Sequence, residues 1–388
     1  MARMKLIYIS PSVVPSRTAN SVHVVMQCEA LINKGADVVL YARRAIPKNE
    51  DLPDTILSAY GVDLRKARIV SFYSRFNLAT NLRIAVHALW DLMRRKWPDA
   101  LISRNLYASF LIGFVMRRAV LFETHQLEIG FRKLIQRRIM SCPWVTTIVV
   151  SNKLKDYLEQ HHGIKPARTL VLHDAAPDGI EPIFRSARRA KLTETLPAIE
   201  EGHWESICGY FGHLYPGRGV EVIEEMAKAR PHVLFLIFGG NEDDVLIKKE
   251  SNRLTNLIYI GHVPHQVAQQ AMRSVDVLLM PYQENVSIGV AGHDTARWMS
   301  PMKMFEYMAS GVPIISSDLP VLREILTDGV NALLVPPSNP TAWNKALDRL
   351  LTDKDFANSL SASAHHDYSS QHTWTHRARR LLDAAKEL

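Results

Sequence analysis

Residues 5–42 read KLIYISPSVVPSRTANSVHVVMQCEALINKGADVVLYA, and their pattern decides the fold. Lys5 to Ser10 is an apolar run of strand length. Pro11 to Ser21 collects turn formers and small polar residues and reads as a loop. A helix begins near Ser21, with Val22, Val25, Met26 and Ala30 on one face, and closes at Lys34-Gly35. Asp37 to Ala42 is the next strand. Strand, helix and strand in this order imply a parallel sheet with right-handed crossovers. Ligands of such sheets lie beyond the carboxyl ends of the strands, so the Thr18–Ser21 loop is placed to meet an anion or a sugar. The loop is not G-x-G-x-x-G, so the dinucleotide fingerprint is absent.

The alternation continues outward. Asp99 to Ser103 is a strand ending in Arg104-Asn105, and Ala119 to Phe122 is another, ending in Glu123-Thr124-His125-Gln126. His125 at a strand end suits an acid, a base or a sugar-binding donor, with a structural histidine as the plain alternative. Val145 to Val150 and Leu170 to Leu172 are further strands, and Ser151 caps the helix between them. Residues 45–68 are polar and broken by Pro47 and Pro53. Ala79 to Lys96 reads as a helix with Leu82, Val86, Leu89, Trp90 and Met93 on one face and Arg83, Arg94, Arg95 and Lys96 elsewhere. Such a helix either packs that apolar face or lies on a membrane, and the packed arrangement is the one expected. Phe131 to Met140 is a second basic segment.

Residues 180–203 are charged, lack periodicity and read as a linker with a short helix. A second strand–helix series follows. Ser206 to Phe211 leads into Gly212-His213-Leu214-Tyr215-Pro216-Gly217-Arg218-Gly219, where glycines admit a phosphate to the backbone and Arg218 adds a charge-assisted bond. Strands at 233–238, 257–260 and 275–280 end in Gly239-Gly240, Gly261-His262-Val263 and Pro281. In Ser300 to Ser316, Ser300 can cap a helix, Pro301 suits its first position, and Met302, Phe305 and Met308 make its apolar face. Gly311 ends it and Val312 to Ile315 is a buried strand. Lys303 and Glu306 sit one turn apart, which suits either a phosphate and a ribose or an ordinary surface ion pair. Helices near 321–326, 340–352 and 372–387 and a strand at 331–335 complete the chain.

The 388 residues exceed one typical core, so two domains are expected. Net charge is +8, yet residues 1–150 hold 22 Lys and Arg against 10 Asp and Glu, a net of +12, while the remainder holds 25 against 29, a net of −4. The basic half points to an anionic partner or to a solubilising surface. Cys28, Cys142 and Cys208 show no metal or redox spacing, which suits a reducing cytoplasm. No stretch has the length of a membrane span or of a secretion signal. No aromatic stacking platform or recognisable nucleic-acid module is present, which ranks nucleic-acid binding last.

Taken together, these pieces resemble the retaining nucleotide-sugar glycosyltransferases of family 4 (glycosyl transferases group 1). They are Pro15 to His23, Glu123 to His125, His173 to Gly179, Gly209 to Gly219, Gly239-Gly240, Gly261 to Val263, Asp276 to Pro281 and Ser300 to Gly311. The resemblance implies the α/β GT-B fold: two Rossmann-like parallel-sheet domains facing across a cleft. The first is residues 1–180, on the acceptor side. Residues 181–204 are a linker, residues 205–371 are the donor domain, and the helix at about 372–388 packs back on the first domain. It implies transfer of a hexosyl group from a nucleoside-diphosphate sugar to an acceptor hydroxyl with retention, in bacterial-type surface polysaccharide or glycolipid synthesis. The rivals are a nucleotide-sugar epimerase of the same fold and an inactive relative.

Arg218 and Lys303 look like the catalytic cations on the donor diphosphate, and Glu306 like the ribose-binding second glutamate of E-x7-E. Gly217, Gly219, Ser300, Pro301 and Met302 flank the donor, and Gly261, His262 and Val263 look like the base-binding loop. His125 looks like the catalytic-side histidine near the transferred sugar, and Asn20 and Ser21 like the loop approaching acceptor or sugar. The resemblance implies no cofactor and no metal, and no Asp-x-Asp stands in a metal-binding setting. It implies a saccharide or lipid-linked acceptor and a cytoplasmic protein, peripheral at an anionic membrane face. Trp298 stands eight residues before Glu306, where the family carries its first glutamate, leaving Glu284 and Asp294 as alternatives. His213 stands where many relatives carry arginine.

Overall fold

A computed structural model describes residues 3–45, 50–73, 77–196, 204–287 and 294–387. The chain divides into two units: Met1–Asp174 with Thr373–Leu388, and Ala175–His372.

The first unit is built on β1 (Lys5–Val14), β2 (Asp37–Arg44), β3 (Arg68–Tyr73), β4 (Ala100–Ser103), β5 (Val120–Thr124), β6 (Val145–Val149) and β7 (Arg168–Val171). They form one sheet in the order β3-β2-β1-β4-β5-β6-β7, and the pairings are parallel. The order reverses between β1 and β4, which opens a crevice beyond their carboxyl ends. β1 outruns its expected end at Ser10, because a register shift lets Val13 and Val14 pair again with Arg43 and Arg44. The polar stretch 45–68 contains the helix Leu52–Tyr60, which Asp51 caps by accepting from Asp54 N at 3.1 Å. β3 itself is only half buried at the sheet edge, which is why its sequence carries little apolar pattern.

The helix Asn77–Arg94 departs from the expected packing. It buries Ile84, Ala85, Ala88 and Leu92, while Leu82, Val86, Trp90 and Met93 point outward. Two alanines on the inner side let the helix lie close to β1 and β2, and the larger stripe is left in solvent. Ser151 does cap the helix Asn152–His162, accepting from Leu154 N at 2.9 Å. The C-terminal helix Trp374–Lys386 packs against the helix Ala19–Asn33 in this unit.

The second unit carries β8 (Ser206–Phe211), β9 (Val233–Phe238), β10 (Leu257–Gly261), β11 (Val277–Met280), β12 (Ile314–Ser317) and β13 (Leu333–Val335). The parallel sheet runs β10-β9-β8-β11-β12-β13, with its reversal between β8 and β11. β9 shows why these strands read as unbroken apolar runs. Leu234, Leu236 and Phe238 enter the core on one face, while Val233, Phe235 and Ile237 enter the core on the other.

The short helix expected within 181–204 is present, and the described residues 181–196 belong to the second unit. This helix, Arg185–Thr195, sinks Leu192 into the second unit's core. Buried Arg188 donates to Gly311 O at 2.7 Å, closing the C-terminus of the helix Met302–Ser310. That helix is capped at Pro301 rather than Ser300, because Pro301 is extended (ψ 122°) and its carbonyl accepts the first turn's bond from Met304 N. Helices at Glu242–Ser251, His265–Met272 and Lys354–Gln371 were not expected from the sequence. The helix expected near 321–326 shrinks to one turn, Leu322–Glu324.

Candidate functional site

Each unit gathers polar groups beyond its strand reversal. In the second unit the loop after β8 meets the residues after β11 and the N-terminal turn of Met302–Ser310. Lys303 Nζ lies 4.2 Å from the ring centre of Tyr210 and 4.5 Å from that of Tyr282. It is buried and has no hydrogen-bond partner among the described residues. The surface ion pair that Lys303 and Glu306 might have made is absent: among the described residues no such contact exists, and Glu306 instead lies 3.5 Å from His265 Nε2. Burial and then the Arg218 charge hold the Lys303 ammonium well below the usual lysine range, against the opposing pull of Glu306. Arg218 donates to Tyr282 Oη at 3.0 Å and to Ser287 O at 3.3 Å. His213 stacks on Tyr215 with ring centres 4.8 Å apart, and burial followed by Arg218 lowers its pKa.

The glycines of this loop serve its packing. A Cβ on Gly219 would sit 1.7 Å from Pro281 O, and one on Gly217 would sit 1.8 Å from Asn285 O. Both residues also hold positive φ, 77° and 84°. Gly219→Ala is therefore expected to destabilise the second unit by at least about 1–3 kcal/mol, read from its denaturation midpoint. Gly261 ends β10, where its carbonyl accepts from Gly239 N at 2.7 Å; His262 is exposed and Val263 half buried beside it. Ser300 is buried one residue before the cap, and Pro301 and Met302 are half buried. Asp294 spends one oxygen on Val286 N at 2.8 Å and Ala296 N at 3.0 Å, so it ties a loop, whereas Glu284 is exposed.

The first unit buries a charge network around Glu123. Its Oε1 accepts from Arg377 Nη2 at 2.7 Å and from His125 Nε2 at 3.0 Å, and lies 2.9 Å from His23 Nε2. Its Oε2 accepts from Tyr8 at 3.1 Å. His23 Nδ1 lies 2.9 Å from Asp174 Oδ1. Burial alone would raise the Glu123 carboxyl, but Arg377 and the two histidines outweigh it and hold it well below the carboxylate range. His125 is pushed down to about 4, by burial first and by the Arg104 charge second. Its Nε2–H is given to Glu123, and its Nδ1 accepts from Arg104 Nη2 at 3.2 Å. A histidine so held is neutral near pH 7. Asn20 lines a pocket with Arg104 and His125, whereas Ser21 is buried and bonded at 2.7 Å to Tyr60, which also clamps both backbone groups of Ser16.

His23, Glu123 and His125 are the cluster of metal-ligating side chains among the described residues. Their arrangement suits a hydrogen-bond network rather than a cation: the shared carboxylate oxygen already faces a guanidinium and two imidazoles.

Two family models match the chain, "Glycosyltransferase Family 4" over residues 21–175 and "Glycosyl transferases group 1" over residues 205–353. The chain belongs to glycosyltransferase family 4. Among relatives of the family 4 chain, the phosphatidyl-myo-inositol mannosyltransferase of Mycolicibacterium smegmatis is 28% identical over 46% of this chain and 42% of its own length. That of Mycobacterium leprae is 30% identical over 31% and 29%. The chain thus spans less than half the length of these curated relatives. Among solved structures, sucrose-phosphate synthase from Thermosynechococcus elongatus superposes with a TM-score of 0.74 at 18% identity, covering 99% of both chains. Anabaena HepE in complex with UDP and glucose gives 0.74 at 15% identity over 100% of both. The fold is GT-B, with a Rossmann-like sheet in each unit.

Within the family 4 chain, Lys303, Arg218, Gly217, Gly219 and Glu306 belong to one end of the second sheet, and Asn20 and His125 to one end of the first. Sequence reasoning missed Arg377, which holds Glu123, His23, whose ring stands edge-on to that of His125 with centres 5.0 Å apart, Asp174, which pairs with His23, and the Tyr210–Tyr282 enclosure of Lys303. The one available signal was Tyr282 directly after a strand-ending proline.

The network predicts acid lability of the first unit. His125 titrates at about 4 in the fold and near 6.5 when unfolded, so below 6.5 only the unfolded chain gains its proton and stability falls. Glu123 and Asp174, both depressed, extend the loss below the ordinary carboxylate range. Burial likewise lowers His162 of the same unit to about 4, so the urea midpoint should drop steadily from pH 6.5 towards pH 4, and His125→Asn should make that drop shallower without abolishing it.

Proposed function

We propose that the protein transfers a hexosyl group from a nucleoside-diphosphate sugar to an acceptor hydroxyl, with retention and without a metal. The observation that carries this reading is Lys303: among the described residues its buried ammonium faces two aromatic rings and has no hydrogen-bond partner, and an anion would offset the desolvation cost. Lys303 and Arg218 meet the diphosphate, the first turn of Met302–Ser310 adds free amides, and Glu306 accepts from ribose hydroxyls. The bond from the anomeric carbon to the phosphate oxygen breaks as the bond to the acceptor oxygen forms on the same face. The acceptor's proton passes to the leaving diphosphate, whose charge the two cations stabilise. Incubation with UDP-, GDP- and ADP-hexoses tests this by anomeric proton resonances. Slow release of a sugar with the donor's configuration, abolished by Lys303→Ala, supports transfer; conversion of donor to its epimer contradicts it.

The acceptor is a saccharide or lipid-linked molecule presented at an anionic membrane face, in surface polysaccharide or glycolipid synthesis. The related mannosyltransferases carry a lipid in their name. Among the described residues no helix is long and apolar enough to cross a membrane. The outward stripe Leu82, Val86, Trp90 and Met93 is 49–60% exposed, with the Arg94 guanidinium 3.8 Å from the Trp90 ring centre. The turns Phe110–Val115 touch both this helix and Phe131–Met140, adding exposed Val115, Phe131 and Leu134 beside Arg132, Lys133 and Arg138. Apolar side chains rimmed by cations suit anionic lipid. Sedimentation with phosphatidylglycerol vesicles should exceed that with phosphatidylcholine, weaken with salt, and fall about tenfold or more when Arg94 and Arg95 become glutamate. Equal binding to both vesicles removes the membrane part of the proposal.

A further inference from the structure

The first unit's pocket holds a charge that donor binding leaves unused. Arg104 stands at the carboxyl end of β4, beside the strand reversal. Its Nη2 donates to Asn20 Oδ1 at 2.9 Å and to His125 Nδ1 at 3.2 Å. Its Nη1 is buried and has no hydrogen-bond partner among the described residues. No carboxylate among them lies within ion-pair distance of it. The carboxylates nearby are already engaged: Glu123 is held by Arg377, and Glu128 by Arg132 at 2.8 Å. The other walls include Asn81, Asn105 and Gln126. A half-buried guanidinium without a counter-charge, facing amides, matches a carboxylate or phosphate better than a neutral sugar.

We propose that this pocket, of about 160 Å³, is an oxyanion subsite in which Arg104 binds a carboxylate or phosphate group carried by the acceptor. The word acceptor rests on the transferase reading; the anion site rests on the geometry of Arg104. An anion takes Nη1 and competes for Nη2, so the bond from Arg104 to His125 Nδ1 loosens. It also offsets the Arg104 charge, one of the three influences that hold His125 low beside burial and His23, and so moves the His125 titration upward. Arg104 is thereby a binding residue whose hold on His125 weakens when an anion binds.

The test follows the His125 ring nitrogens by NMR in the full chain labelled with nitrogen-15 histidine, assigned with His125→Gln. Methyl phosphate, methyl glucuronide and neutral methyl glucoside are titrated in turn. A saturable shift and a raised apparent pKa are expected with one or both anions and not with the glucoside. Phosphate alone assigns a phosphate subsite, and glucuronide alone a uronate subsite. Arg104→Gln should weaken the response about tenfold or more, Arg104→Lys should keep part of it, and Lys303→Met in the other unit should leave it intact. No response to either anion, an equal response to the glucoside, or an unchanged response in Arg104→Gln overturns the proposal. Because no transfer or donor binding is read, failure here leaves the donor site standing, and failure of the donor site leaves this one.

Discussion

Lys303→Met is expected to lower kcat/KM about 10²–10³-fold while leaving the folded protein as stable as before, or more so. The two halves of this result have one cause. The ammonium is buried, faces two aromatic rings, and has no hydrogen-bond partner among the described residues. Replacing such a group by an apolar side chain of similar length removes a desolvation cost from the fold. The same replacement removes a positioned cation from the leaving group, a loss of the size seen when one preorganised donor is deleted from an anion-stabilising site. A variant that lost activity through unfolding would lose thermal stability as well. The midpoint and the rate measured on one preparation therefore separate the cases.

Arg377→Met carries the largest expected structural effect, a loss of about 3–5 kcal/mol in the first unit. Arg377 and Glu123 are 3% and 0% exposed, so removal of the cation strands a carboxylate with no solvent to receive it. Gln27 and the His173 carbonyl lose their donor at the same time. Hydrogen exchange should quicken in β5 and in the helix Ala19–Asn33 while the second unit stays protected. Adding Glu123→Gln should return part of the lost stability, because the stranded charge is then gone. If the double variant is no more stable than Arg377→Met, the ion pair is not what holds Arg377 in place.

The contrast between these two residues shows what a sequence displays. Lys303 and Glu306 lie in one short helix, after a strand, a glycine–arginine loop and a further strand in the family's order, so the proposed donor side is legible along the chain. The reading of Lys303 and Glu306 as a surface pair failed only on burial, which spacing within one helix does not encode. Arg377 reaches Glu123 across 254 positions, and a lone arginine in a C-terminal amphipathic helix carries no mark of its partner. Tyr60 was hidden similarly, since the fold makes its hydroxyl the clamp of a loop 44 residues earlier. The helix Asn77–Arg94 misled for another reason: it has two apolar stripes, and the larger side chains drew attention away from Ala85 and Ala88, which the sheet covers.

The proposed donor site is tested most directly by calorimetric titration of UDP and GDP at a series of pH values from 7 to 10, in two buffers of different ionisation enthalpy at each. Burial and the Arg218 charge lower the Lys303 affinity for its proton and a bound diphosphate raises it, so binding takes up protons over the pH range in which the two states differ and weakens as pH rises through that range. The account predicts proton uptake in the wild-type protein with at least one nucleotide and its disappearance, with most of the affinity, in Lys303→Met. Binding without proton uptake, or uptake that survives in Lys303→Met, would contradict it.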